Sequence, residues 1–312
     1  METTTGPLAA LHDRGVRGFV TDGGLETDLI FHHGVDLPEF AAFPLLDDPA
    51  GRDLLTRYYD GYAAVAAAAG AGLLLESPTW RANTDWAARV GYGPDGTTRA
   101  NVTAIEFLRA LATGYDVPAV LVAGQVGPRG DGYVAGEAQD PEEAREYHAP
   151  QVRAFADAGA DLVSALTLTT VAEAVGVVLA AREAGVPVSV GFTVETDGRL
   201  PDGTPLAEAV AAVDAAAAPE HFVVNCAHPT HVLPALDDGP WVARIAGTRV
   251  NASTMSHAEL DEAEDLDDGD PAALAADQMT VNVRLPGLRV LGGCCGTDVR
   301  HVAAMWGVPA PA

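Results

Sequence analysis

The sequence is poor in cysteine, in aromatic residues and in basic residues. Of its 312 residues 3 are cysteine, 6% are aromatic, and 18 Lys and Arg stand against 44 Asp and Glu, which gives a formal net charge of −26. Three cysteines, two of them adjacent, do not fit a structural disulfide framework and indicate a reducing compartment. A negative field of this size repels nucleic acid and anionic membranes, so the expected partners are small molecules. Adaptation to high salt is a further possible reason for it.

Long apolar segments are also missing. The most apolar stretch, residues 63–75, is shorter than the roughly 20 residues that span a bilayer. Residues 1–17 lack the basic segment and apolar run of a signal peptide. These two features predict a cytoplasmic protein. The sequence does not indicate its oligomeric state.

Short apolar runs with β propensity alternate with stretches of helical periodicity. The predicted helices lie between residues 54 and 69 and at 103–111, 141–158, 171–184 and 206–217. Regular alternation of strand and helix is typical of a parallel sheet of the α/β class. The predicted strands number eight and lie at residues 18–21, 72–76, 119–124, 161–166, 186–194, 221–225, 244–250 and 288–291.

Eight repeats favour one closed (β/α)8 TIM barrel over residues 1–312, since such barrels form single domains of about 250 residues. The alternative, a Rossmann-like sheet, lacks its fingerprint, because the first strand ends in Asp-Gly-Gly-Leu-Glu. The least regular part is the acidic segment near residues 252–272. It is predicted to be a solvated loop with at most one helical turn, and cation binding is the alternative.

The cysteines follow two predicted strands. Cys226 comes after the sixth strand, and Cys294 and Cys295 come after the eighth. Because the carboxyl ends of barrel strands converge on one mouth, the three thiols can meet there. Three thiolates repel one another unless a cation compensates them, and Zn²⁺ binds thiolates tetrahedrally with one position left for a substrate. The alternative is that they are small buried residues.

Four motifs resemble those of the homocysteine S-methyltransferase family over nearly the whole chain. The glycine-flanked double cysteine with an upstream Asn-Cys pair is the specific part of this resemblance. The motifs are Asp22-Gly23-Gly24-Leu25-Glu26-Thr27, Gly127-Pro128-Arg129-Gly130, Asn225-Cys226 and Gly292-Gly293-Cys294-Cys295-Gly296.

The resemblance implies a (β/α)8 barrel with zinc on Cys226, Cys294 and Cys295. It further implies a thiol acceptor such as homocysteine, giving methionine, and a sulfonium or ammonium methyl donor. By the same motif match, Asp22, Gly23 and Gly24 would bind the amino acid acceptor, and Asn225 would lie beside the metal. The donor stays open among S-methylmethionine, S-adenosylmethionine and a betaine.

One position departs from the family pattern. Leu166 stands where the family commonly has a glutamate that helps to hold the amino group of homocysteine. Glu76 and Glu195 end the second and fifth predicted strands, so either could replace that carboxylate. If neither does, the acceptor is a different thiol.

Other residues near the predicted strand ends have weaker functional interpretations. Trp80 and Trp86 could hold a cationic donor by cation–π attraction, although packing is the commoner role. His228 and His231 follow Cys226 and are expected to support the site rather than to bind metal. Two other functions remain open. One is a zinc-dependent barrel hydrolase and the other is a non-catalytic zinc-binding or redox-sensing barrel.

Overall fold

The predicted barrel is confirmed. The computed structural model describes residues 8–13, 15–136 and 140–311. Its eight parallel strands pair in chain order, and β1 pairs with β8 to close the sheet. The strands are β1 (Phe19–Val20), β2 (Gly72–Glu76), β3 (Val120–Val126), β4 (Leu162–Leu168), β5 (Val188–Phe192), β6 (His221–Asn225), β7 (Ile245–Val250) and β8 (Val290–Gly293).

Helices follow the strands and cover the outside of the barrel. They are α1 (Ala9–His12), α2 (Leu25–Thr27), α3 (Pro49–Ala69), α4 (Thr84–Arg89), α5 (Pro94–Ala112), α6 (Pro141–Asp157), α7 (Val171–Ala184), α8 (Leu206–Ala217), α9 (Pro229–Val232), α10 (His257–Asp261), α11 (Pro271–Asn282) and α12 (Val299–Trp306). None of those described combines the length and the low charge that crossing a membrane requires.

Capping residues set several helix ends. The Asp48 side chain accepts hydrogen bonds from the first-turn amides before α3, and Gly70 ends that helix at a φ of 60°. Helix α5 begins at Pro94 rather than at residue 103. Its first turns contain no large apolar side chain, so apolar spacing could not reveal them, although proline favours the first helical position.

One end of the barrel is closed by its own side chains. Phe19, Leu74, Leu121 and Val290 form a buried cluster that also includes Leu11 of α1. The cysteines lie at the opposite end, where the strands have their carboxyl termini. Within the part of the chain that the structure describes, the cavity for a ligand is at this mouth.

The acidic segment contains α10, which starts with a capping box between Ser256 and Glu259. No helix follows in the described chain until α11 begins at Pro271. His257 of α10 is buried, so this part of the segment packs onto the barrel.

His221, the first residue of β6, should make the protein sensitive to acid. Burial lowers its pKa to about 4, with smaller contributions from the positive charges of His12 and Arg244. Between pH 6.5 and 4 the unfolded chain therefore binds a proton that the folded protein does not. Stability should fall by about 3 kcal/mol over this range and stay unaffected above it.

Urea unfolding at pH 6.5 and pH 4.5 tests this expectation. His221→Leu should reduce the loss of stability between the two pH values, whereas His33→Gln, at an exposed histidine, should not. An unchanged pH dependence in His221→Leu would contradict the assignment.

Candidate active site

The three cysteines meet at the mouth. Their Sγ atoms all lie within 4.8 Å of one another. The amide of Cys226 donates to the Arg249 carbonyl and the amide of Cys294 to the Val250 carbonyl, so β7 holds both segments in register. Tetrahedral zinc thiolates have S–S separations of about 3.8 Å, and the cluster fits this donor set.

The thiols also influence one another's ionisation. Hydrogen bonding with Cys226 and Cys295 lowers the pKa of Cys294 well below its usual range. The hydrogen bond with Cys294 raises the pKa of Cys226, and hydrogen bonds with both partners raise that of Cys295. The three thiols therefore do not ionise independently. A divalent metal is the natural compensation for three thiolates at this spacing.

Several groups hold Cys226, which adopts a left-handed backbone conformation with a φ of 55°. The Tyr133 hydroxyl lies 3.3 Å and the Asn251 Nδ2 3.7 Å from its Sγ. His257 stacks on the Tyr133 ring, and its Nε2 lies 3.1 Å from the Cys226 carbonyl. Glu195 lies 2.9 Å from the other ring nitrogen of His257. Glu195 therefore supports the backbone of Cys226 through His257.

The Asp22-Gly23-Gly24 turn follows β1 and packs against the double-cysteine segment. A Cβ on Gly24 would lie 2.5 Å from the Cys294 carbonyl oxygen, so only glycine fits there. The Asp22 carboxylate accepts from the Tyr58 hydroxyl at 3.1 Å and lies 2.7 Å from Arg249 Nη2. The turn and the thiols are thus one packed unit.

Arg249, near the end of β7, joins four strand ends. Its guanidinium pairs with both Asp22 and Glu76. It also donates to the Gly23 carbonyl at 3.0 Å and to the Gly293 carbonyl at 2.9 Å. Arg249 is 4% exposed in its side chain, so its charge is balanced by these carboxylates rather than by water. The sequence analysis missed this residue, although an arginine near the end of a barrel strand points to the mouth.

Asn225 and Leu166 line the same cavity as the thiols. The Asn225 side chain accepts from the Thr167 amide at 2.8 Å and donates to the Thr167 hydroxyl at 2.7 Å. Thr167 has a φ of 62° where the register of β4 and β5 shifts. Such a bulge removes an amide from the sheet ladder, and Asn225 supplies its partner.

The mouth contains a cavity of about 280 Å³. Leu166, Thr167 and Asn225 line it, and so do the residues of the Asp-Gly-Gly turn. Its charged or ionisable lining residues are Asp22, Glu26, Asp131, Asp261, Arg81, Arg249, Tyr133 and the three cysteines. Acidic groups outnumber basic ones, which favours a cationic ligand.

Glu76 and Glu195 do not line this cavity. The Glu76 carboxylate is bound by Arg249 and accepts from the Thr21 hydroxyl at 2.9 Å. Glu26 does line it and forms no ion pair with another residue that the structure describes. Burial raises the pKa of Glu26 to about 7, and Asp22 adds to the rise. Glu26 therefore offers the carboxylate that Leu166 lacks.

Glu26 is part of the first motif, but the sequence analysis assigned it no role. It lies in α2, which begins directly after the glycine turn, so this short helix keeps it at the same mouth as Asp22.

Arginine side chains make cation–π contacts with both tryptophan rings. Arg81 lies over both indole rings, and Arg89 also lies over Trp86. Trp80 additionally packs against Gly127 and Gly132. These contacts favour the packing role over donor binding for both rings.

The histidines after Cys226 lie outside the thiol cluster. His228 caps α9 through its Nδ1, which lies 2.8 Å from the Thr230 hydroxyl. His231 Nε2 lies 3.1 Å from the Thr254 carbonyl. Both therefore stabilise the loop that follows β6.

Comparison with known proteins identifies the family. Residues 19–307 match the family model described as homocysteine S-methyltransferase. The chain belongs to this family. The resemblance inferred from the motifs is thereby confirmed.

Two curated relatives are homocysteine S-methyltransferases. The Escherichia coli protein is 29% identical over 62% of this chain and 64% of its own length, and the Bacillus subtilis protein YbgG is 23% identical over 60% and 62%. The chain thus matches just under two thirds of each relative's length. Crystal structures of the E. coli homocysteine methyltransferase MmuM are also similar at 24% identity, covering 97% of this chain and 99% of theirs. The TM-score is 0.79 for the oxidized form and 0.75 for the metallated form. They share the fold.

Proposed function

We propose that this protein is a zinc-dependent S-methyltransferase that moves a methyl group from a sulfonium or ammonium donor to homocysteine, giving methionine. The observation that carries the proposal is the cluster of three thiols beside a glycine turn in one small cavity. Membership of the family and the metallated form of the similar E. coli structure support it.

Cys226, Cys294 and Cys295 would hold the metal. Zinc bound there supplies a Lewis acid that lowers the pKa of a substrate thiol. Tyr133 and Asn251 lie beside Cys226 Sγ and can donate to it, which disperses part of its negative charge and fixes its direction. Asn225 positions the bulge of β4 that borders the cavity.

The transfer then depends on alignment within the cavity. The acceptor thiol releases its proton to solvent, and its sulfur forms a bond to the methyl carbon. The C–S or C–N bond of the donor breaks at the same time and leaves a neutral sulfide or amine. The acidic lining favours both the cationic donor and the ammonium group of the acceptor.

We propose that Asp22, Gly23 and Gly24 bind the amino acid end of the acceptor and that Glu26 binds its ammonium group. The Asp22 carboxylate is already paired with Arg249, whereas that of Glu26 is not paired within the described chain. The structure therefore favours Glu26 over Glu76, which the sequence analysis put first, and over Glu195.

Mass spectrometry of paired substrates tests the function. Reduced, zinc-loaded protein should contain about one zinc per chain and convert homocysteine to methionine with at least one sulfonium or ammonium donor. Production of no methylated thiol from any pair would refute the proposal. Ester or amide hydrolysis by the zinc-loaded protein would instead indicate the hydrolase.

Glu26→Gln should raise the Michaelis constant for homocysteine by about tenfold to a hundredfold, because a charge-assisted hydrogen bond is worth about 1.5–3 kcal/mol. The thiol that lacks the amino group, sulfanylbutanoate, should be affected far less. Both Michaelis constants are measured at pH 8, where the Glu26 side chain is ionised.

Glu76→Gln is the matched control. It removes a carboxylate that does not line the cavity, so it should lower stability without distinguishing the two thiols. Equal effects of Glu26→Gln on both thiols would remove Glu26 from this role.

A further inference from the structure

Arg81 is a buried cation in the wall of the cavity. It follows β2 in the loop before α4 and is 7% exposed. The same cavity is bordered by the three cysteines. Nothing in the proposed methyl transfer yet uses this guanidinium.

The hydrogen-bonding capacity of Arg81 is largely unused. Nη1 donates to the Gly130 carbonyl at 3.1 Å, and Nε has no partner within the described chain. No carboxylate of residues 8–13, 15–136 or 140–311 forms an ion pair with it within 4.0 Å. Buried arginine is ordinarily paired, because an unpaired charge in the interior is costly.

Stacking on indole rings explains the position of Arg81 only in part. Its guanidinium carbon lies 4.2 Å from the Trp80 ring centroid and 3.6 Å from that of Trp86. Arg89 makes a similar contact with Trp86 at 4.3 Å while its side chain is 58% exposed and paired with Glu39. An arginine can therefore contact an indole ring without being buried. Because Arg81 is buried at the cavity, its positive charge is left without a compensating anion.

Contacts with two indole rings restrict the position of the guanidinium. A planar, preorganised fork of donors matches a carboxylate, which it can bind through two parallel hydrogen bonds. Burial lowers the pKa of Arg81 to about 10, so it still carries its charge at neutral pH. Asp131 and Glu26 also line the cavity and keep its overall field negative, which suits a ligand that carries both a cation and a carboxylate.

We propose that Arg81 binds the carboxylate of a small zwitterionic substrate in this cavity. The inference rests on the proposed function for the identity of the ligands. Two substrates could supply the carboxylate: the amino acid acceptor, or a methyl donor with a carboxylate such as a betaine or a sulfonio-acid.

Calorimetric binding to zinc-loaded protein distinguishes these sources. Each ligand is paired with an analogue that lacks the carboxylate: homocysteine with homocysteamine, glycine betaine with choline, and dimethylsulfoniopropionate with trimethylsulfonium. Arg81→Gln should weaken binding of the carboxylate ligand by about tenfold to a hundredfold and leave its analogue unchanged. The pair that shows this difference identifies the source.

Two further variants complete the design. Arg89→Gln removes the other arginine on Trp86 and should change no affinity. Arg81→Lys keeps the charge without the fork and should give an intermediate loss, which also serves if Arg81→Gln does not fold.

Equal weakening of a ligand and its analogue would overturn the proposal, as would unchanged binding in both Arg81 variants or the absence of binding by every carboxylate. Binding is measured without turnover, so a missing methyl transfer would refute the proposed function while this test still decides the role of Arg81.

Discussion

Cys226→Ser should remove the bound zinc and lower turnover by at least about a thousandfold, because metal activation of a nucleophile contributes several kcal/mol. Cys294→Ser and Cys295→Ser should behave in the same way. All three thiols lie within 4.8 Å of one another, so each would supply one of the three protein ligands of a single tetrahedral site. Zinc content by elemental analysis and methionine formation by mass spectrometry measure the two effects together.

Tyr133→Phe is the matched control for these variants. It removes the hydroxyl 3.3 Å from Cys226 Sγ and retains the ring that stacks on His257. Zinc should stay bound with an affinity about tenfold to a hundredfold lower. A serine variant that keeps full zinc and full turnover would show that its cysteine is not a ligand.

The barrel could be predicted because its signal is local. Each strand is an apolar run bounded by small or polar residues, and every predicted strand is present with its ends displaced by a few residues. Strand ends were less predictable where a polar side chain, rather than a neighbouring strand, accepts the hydrogen bond of a backbone amide. Strand β4 continues to Leu168 through the bulge at Thr167, and Asn225 from another strand satisfies that bulge. No property of residues 161–168 alone indicates this.

The meeting of the three thiols could be predicted for the same reason, since strand ends converge in any barrel. The ion-pair and hydrogen-bond partners of the side chains at the mouth could not be predicted. Glu76 ends β2 as expected, but its neighbour Arg249 on β7 pairs with it and keeps it out of the cavity. Glu195 likewise lies near the mouth, but its carboxylate forms a hydrogen bond with His257 of the acidic segment. Such choices depend on residues far apart in sequence.

Arg249 connects these observations to stability. Asp22 and Glu76 are both buried, and Arg249 is the cation that pairs with each of them. It also donates to the carbonyls of Gly23 and Gly293, which immediately precede Gly24 and Cys294. One guanidinium therefore compensates two buried carboxylates and fixes the two glycine segments that border the thiols.

Arg249→Met should lower the free energy of unfolding by about 3–5 kcal/mol, because removing one partner leaves uncompensated charge in the interior. The stranded carboxylates should take up protons in the folded protein, so relative to the parent protein the variant should gain stability as the pH falls from 7 to 5. The double variant Arg249→Met/Glu76→Gln strands only one carboxylate and should lose less than the sum of the two single changes. Urea unfolding at both pH values measures each quantity.

Arg244→Met is the matched control for Arg249→Met. Arg244 immediately precedes β7, at the end opposite to Arg249. Arg244 pairs with Asp214, but its side chain is 34% exposed and water can replace the lost partner. Its removal should therefore cost no more than about 1 kcal/mol and, apart from its small effect on the pKa of His221, leave the pH dependence unchanged. If Arg249→Met were as mild as Arg244→Met, the carboxylates of Asp22 and Glu76 would not depend on Arg249. Asp22 could then meet the acceptor ammonium directly, and the preference for Glu26 at the mouth would lose its basis.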